Sequence, residues 1–85
     1  MGRRSRIDVL IEILTEALNE CSKTRIMYRC NLNYKCFSRY LKELLEKGLI
    51  VKIERSSRKT ELYKTSEKGR ELLQVLKRAK KLTIG

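Results

Sequence analysis

Apolar residues recur along the first third of the chain at helical spacing. Ile7, Leu10, Ile11, Leu14, Ala17, Leu18 and Cys21 recur at three- and four-residue spacing, which keeps them on one face of an α-helix. Val9 and Ile13 widen the stripe, so a helix over 7–21 is expected to be covered on more than one side. Asp8, Glu12, Glu16 and Glu20 step by four along another face and give this helix an acidic ridge. Ser22-Lys23-Thr24 breaks the pattern, and either Ser22 or Thr24 can cap the next helix. That helix is short, Arg25 to Cys30, with Ile26, Met27 and Cys30 able to point inward. Asn31-Leu32 then makes a turn, and Asn33 is a good N-cap for a longer helix running to Lys47. Its buried stripe is Tyr34, Phe37, Leu41, Leu44 and Leu45, and Gly48 stands where helices end in a left-handed residue.

Beyond Gly48 the period shortens. Leu49-Ile50-Val51-Lys52-Ile53 is rich in β-branched residues, and Thr60-Glu61-Leu62-Tyr63-Lys64 alternates, with a polar stretch over 54–60 between them. The two runs read as a β-hairpin. Thr65 or Ser66 caps a last helix whose apolar positions are Leu72, Leu73, Val75, Leu76, Ala79 and Leu82. Gly69, in the first turn of that helix, reads as a mild cost. The order is helix, short helix, helix, hairpin, helix. That predicts a mostly α fold with one β-hairpin, a winged helix-turn-helix, arranged as a basic arm over 1–6, a head over 7–64 and a carboxy-terminal helix over 65–85.

Composition adds a partner. The 85 residues leave room for one domain, and 21 Lys and Arg against 10 Asp and Glu give a formal charge of +11 with no His. Such a balance favours polyanions, with nucleic acid first and an anionic membrane surface second. No apolar run has transmembrane length, and no secretory h-region precedes Asp8, so a cytoplasmic location is expected. Cys21, Cys30 and Cys36 form no CxxC pair, and without His a metal site is not expected. They read as reduced thiols acting as small apolar residues, with a disulfide or redox switch as the alternative. Without His or a nucleophile motif, the chain points away from an enzyme, and no cofactor is implied.

The placement of charge is more informative than its total. Residues 7–21 hold four acids and no Lys or Arg, whereas residues 22–42 hold Lys23, Arg25, Arg29, Lys35, Arg39 and Lys42 and no acid. The acidic helix is thereby assigned to the core, and the basic pair to DNA. On the helix over 33–47, Asn33, Lys35, Ser38 and Arg39 occupy the amino-terminal half, which reaches base edges in helix-turn-helix proteins, while Lys42 suits a phosphate. Lys23, Thr24 and Arg25 open the second helix, where free N–H groups favour anions, and Arg29 lies further along it. In the hairpin loop Arg55, Arg58 and Lys59 make a basic wing. Tyr34 and Tyr40 are each open to a core or a surface role, with the core favoured for Tyr34.

The segment Lys23-Thr24-Arg25-Ile26-Met27-Tyr28, followed by Asn31-Leu32-Asn33-Tyr34 and Arg39-Tyr40-Leu41, resembles the small archaeal winged-helix DNA-binding proteins, which are chromatin-associated proteins or predicted transcriptional regulators. Gly48-Leu49-Ile50 and the Thr65-to-Gly69 spacing extend the resemblance over residues 7–76. It implies a winged-helix head on double-stranded DNA, and a homodimer formed by an antiparallel coiled coil of the last helices. Lys23, Thr24, Arg25 and Arg39 match family positions; Lys35, Cys36 and the wing do not. The chain also departs from the family in its longer, more basic hairpin loop and its short last helix. There Leu72, Leu76 and Ala79 are spaced as a coiled-coil seam would be, yet the same leucines could pack back on the head. Two other readings stay open: a winged-helix protein–protein interaction module, and an RNA-binding protein. The former would expose an apolar patch, and the latter an array of aromatic residues.

Overall fold

The computed structural model describes residues 4–54 and 61–83. Its elements are α1 (Arg6–Glu16), β1 (Cys21–Ser22), α2 (Lys23–Arg29), α3 (Tyr34–Glu46), β2 (Ile50–Ile53), β3 (Leu62–Thr65) and α4 (Glu67–Thr83). The helix–short helix–helix–hairpin–helix order is the one expected, with one strand added.

The first helix starts on a capping box. Ser5 Oγ accepts the Asp8 N–H and the Asp8 carboxylate accepts the Ser5 N–H, both at 3.1 Å. It stops at Glu16, five residues short of the expected end. The apolar spacing continues to Cys21, but the backbone there has better partners in the sheet. Cys21 and Ser22 pair with Tyr63 and Leu62, making a three-stranded antiparallel sheet in the order β1-β3-β2. Thr65 seals the helix end, since its N–H donates to the Ala17 carbonyl and its hydroxyl to the Leu14 carbonyl, both at 2.7 Å. Carbonyls of a last helical turn otherwise lack partners, which accounts for a threonine that is 3% exposed.

Ser22 caps α2, accepting the Arg25 N–H at 3.2 Å, so this helix begins at Lys23, two residues before the expected start. Both α2 and α3 end in the same way. The Leu32 N–H donates to the Met27 carbonyl and the Asn31 N–H to Tyr28; the Leu49 N–H donates to Leu44 and the Gly48 N–H to Leu45. This is the Schellman arrangement, which needs a left-handed residue after the last helical one. Asn31 (φ +54°) and Gly48 (φ +70°) provide it. The tight turn at Asn31 leads within a few residues from α2 into α3.

One core joins all the layers. Ile13, Leu14 and Ala17 of α1 and its C-cap meet Ile26 and Cys30 around α2, Phe37 and Leu44 of α3, Ile50 of β2 and Tyr63 of β3. In the hairpin Ile50 faces Thr65 and Ile53 faces Leu62, and Lys52 Nζ lies 2.7 Å from a Glu61 carboxylate oxygen. Tyr34, favoured for the core, is instead 65% exposed. As the first residue of α3 it lies a turn outside the layer that Phe37, Leu41 and Leu44 fill.

Helix α4 lies along α1. Leu73 is buried in the core, Leu72 and Leu76 pack partly against it, and Lys80 pairs with Asp8. Ser66 ties the start of α4 to the end of α3: its N–H donates to the Leu49 carbonyl, its hydroxyl donates to the Gly48 carbonyl, and Ser66 Oγ accepts the Gly69 N–H. Gly69 is a requirement of this junction. A Cβ there would stand 2.1 Å from the Leu49 carbonyl oxygen, so the close approach of helix to backbone admits only hydrogen.

Candidate nucleic-acid interface

The basic residues of α2 and α3 reach solvent from two short, firmly capped rods. Lys23, Thr24 and Arg25 fill the first turn of α2 and are exposed. On α3, Lys35, Arg39 and Lys42 are exposed along the side opposite Phe37, Leu41 and Leu44, with Ser38 half-buried at its edge. Lys35 and Arg39 are one helical turn apart, so their side chains project in similar directions. The start of α3 is held by Asn33, whose side-chain oxygen accepts the Cys36 N–H at 2.7 Å. That oxygen is therefore committed to the fold. Arg55, Arg58 and Lys59, the basic wing expected from the sequence, lie outside the described residues.

Several cations work within the protein. Arg29 Nε lies 3.6 Å from a Glu16 carboxylate oxygen. Arg4, assigned to the amino-terminal arm, donates to Glu12 at 2.5 Å, to the Cys30 carbonyl at 2.5 Å and to the Asn31 carbonyl at 3.0 Å, bracing the turn between α2 and α3 against α1. Arg6 donates to Glu43 at 2.6 Å and lies over the Tyr40 ring, 5.6 Å from its centroid. Tyr40 is thereby half-buried, and a shallow hollow forms among Arg6, Cys36, Arg39, Tyr40 and Glu43.

These contacts shape the field of the surface. Hydrogen bonds from Arg6 and then Lys47 hold the Glu43 carboxyl below the usual carboxylate range. The first acid after the basic stretch is thus paired from two sides. On α1, Glu12 and Glu16 are paired with Arg4 and Arg29, and the hydrogen bond from Lys80 helps to lower the Asp8 carboxyl to about 2. Burial pushes the Cys30 thiol up to about 11 and raises that of Cys21, so both behave as apolar groups.

Two exposed aromatic residues on this part of the surface are not among the contacts expected from sequence. Tyr28 is 82% exposed on α2 and Tyr34 65% exposed at the head of α3. For Tyr28 a signal is present: Ile26 and Cys30 take the inward side of α2, and position 28 falls opposite them. Tyr34 fits the apolar stripe by spacing, and only its place at the helix end exposes it.

Comparison with known proteins gives a consistent picture. The sequence profile described as winged helix-turn-helix matches residues 3–84. An uncharacterized protein of the archaeon Methanocaldococcus jannaschii is 41% identical over 63 residues, which cover 73% of this chain and 65% of that protein. The crystal structure of Sso10a-2, a DNA-binding protein from Sulfolobus solfataricus, superposes with a TM-score of 0.81 at 24% identity, covering 93% of this chain and 81% of that one. The transcriptional regulator BldR from the same organism gives a TM-score of 0.71 at 21% identity, over 80% of this chain and 50% of BldR.

Proposed function

The chain belongs to the winged helix-turn-helix family, and from that premise we propose that it binds double-stranded DNA, with α3 in the major groove and the hairpin as a basic wing. The observation that carries this reading is the segregation of charge: residues 22–42 hold six cations and no acid, while Asp8, Glu12 and Glu16 on the acidic helix are paired with the protein's own cations. Lys35, Ser38 and Arg39 are assigned to base edges. Lys23, Thr24, Arg25 and Lys42 are assigned to phosphates, together with Arg55, Arg58 and Lys59 of the wing. Arg29, leaning toward Glu16, and Asn33, spent on its cap, carry less of the load than their sequence positions suggest. Sso10a-2 is described as DNA-binding and BldR as a transcriptional regulator. These descriptions support a role as a transcriptional regulator or chromatin-associated protein of the nucleoid.

The reading includes a homodimer formed through α4. Leu76 packs toward the core, whereas Val75 is 61% and Leu82 79% exposed. Val75, Ala79 and Leu82 are separated by four and three positions, the spacing of a coiled-coil seam, while Leu72, like Leu76, packs toward the core. Over 17 residues, ~25 Å at 1.5 Å each, this seam is short.

A salt titration of duplex binding tests the main proposal. With six to eight phosphates neutralised, log K falls against log salt with a slope of roughly −5 to −7. A slope near zero removes DNA from the reading.

A further inference from the structure

Tyr34 is the first residue of α3, is 65% exposed, and has on its helix the exposed Lys35, Arg39 and Lys42. Its backbone is fixed, because the Asn33 side chain holds the Cys36 N–H at 2.7 Å and the Asn33 carbonyl accepts the Phe37 N–H at 2.9 Å. The protein therefore holds an aromatic ring on a rigid stem, at the end of the helix where base edges are read. Neighbouring charges argue against a protein partner, since the buried centre of such an interface is depleted of charged residues. Stacking on single strands is served by successive aromatic side chains, whereas the other rings of α3 are engaged, Phe37 being 1% exposed and Tyr40 lying under Arg6. The other exposed ring among the described residues, Tyr28, stands on a different helix, α2. On the floor of the major groove the apolar group that such a ring can meet is the 5-methyl of thymine.

We propose that Tyr34 is a specificity-determining residue that packs its ring against a thymine methyl in the major groove, a proposal that rests on the duplex-binding reading above. The ring edge supplies the contact and the hydroxyl is dispensable. Thymine is thus favoured at one position of the bound site.

Alternating poly(dA-dT) and poly(dA-dU) duplexes differ only in the methyl group and serve as probes with the full-length protein. The wild type should bind the uracil polymer about fourfold more weakly, the factor that burial of one methyl-sized group is worth. Tyr34→Ala should bind both polymers equally, with circular dichroism confirming a native fold. Tyr34→Phe should keep the wild-type ratio. Equal binding of the two polymers by the wild type would overturn the proposal, as would an undiminished ratio in Tyr34→Ala or a lost ratio in Tyr34→Phe. Binding single-stranded poly(dT) as tightly as the duplex would also overturn it. If the wild type binds neither duplex, the failure lies with the duplex-binding reading itself.

Discussion

Replacing Gly69 with alanine inserts one methyl group where α4 crosses the chain that leaves α3. The new Cβ would lie 2.1 Å from the Leu49 carbonyl oxygen and 2.7 Å from Thr65 Cγ2, whereas ordinary contact begins at 3.4 Å. The helix must therefore withdraw by about 1 Å, a distance on the scale over which packed atoms lose a quarter to a half of their attraction. Leu49 cannot yield instead, because its carbonyl accepts the Ser66 N–H at 3.0 Å and its side chain is buried. Overpacking costs ~1–3 kcal/mol, and loosening the Ser66 bond costs about 1 kcal/mol. Alanine's better helix propensity returns about 1 kcal/mol. The net loss is about 1–3 kcal/mol, and for a domain of this size each kcal/mol moves Tm by ~4–8 °C. Thermal melts monitored by circular dichroism at pH 7 should show Gly69→Ala lower than wild type by about 4–24 °C. A glycine that merely sat in a helix would give the opposite sign. An unchanged or raised Tm would refute the close-approach argument.

The same geometry yields three further expected outcomes. The Asp8 carboxyl, lowered to about 2 in the folded chain, stabilises the fold above its ordinary value of 3.8, and that contribution is lost as pH falls from about 4 to 2. Lys80→Met should flatten the fall of Tm across this window, and superimposable curves for variant and wild type would count against the pair. Arg39→Ala should weaken binding by ~1–3 kcal/mol and relax preference at one base position; equal losses on every sequence in a competition assay would make Arg39 a backbone contact. Val75→Glu with Leu82→Glu should lower the sedimenting mass to that of a 10.1 kDa monomer. A wild type that is already monomeric at high micromolar concentration would remove the α4 seam.

How far the fold is legible in the sequence differs from element to element. The middle of the chain is legible because its signals are local. Asn33 and Gly48 begin and end α3 as their chemistry dictates, and the hairpin strands fall within one or two residues of the expected positions. The end of α1 is not legible. Its apolar spacing runs on to Cys21, while the decisive bonds come from Tyr63, Leu62 and Thr65, forty or more residues away. A two-residue strand such as β1 is too short to alternate, so its pairing has no sequence pattern. Tyr34 is a third kind of case. Its spacing places it on the stripe, but the core ends one turn later. The basic candidates on α2 and α3 are legible from charge alone, whereas the diversion of Arg29 toward Glu16 depends on a contact between helices.

The acids of α1 link stability to the proposed function. Unpaired, Asp8, Glu12 and Glu16 would project a negative field close to the basic helices and offset part of their attraction for phosphate. Instead each meets a cation from a different segment: Lys80 of α4, Arg4 ahead of α1 and Arg29 of α2. Exposed pairs of this kind add little to stability individually, but their placement confines negative charge to short local dipoles. Arg4 carries this furthest, because the guanidinium that pairs with Glu12 also donates to the carbonyls of Cys30 and Asn31, where the chain turns from α2 to α3. A single side chain thus pairs an acid on the core helix and braces the turn that aims the basic one. An acid of the charge asymmetry visible in the sequence shares its cation, in the folded chain, with the turn between α2 and α3.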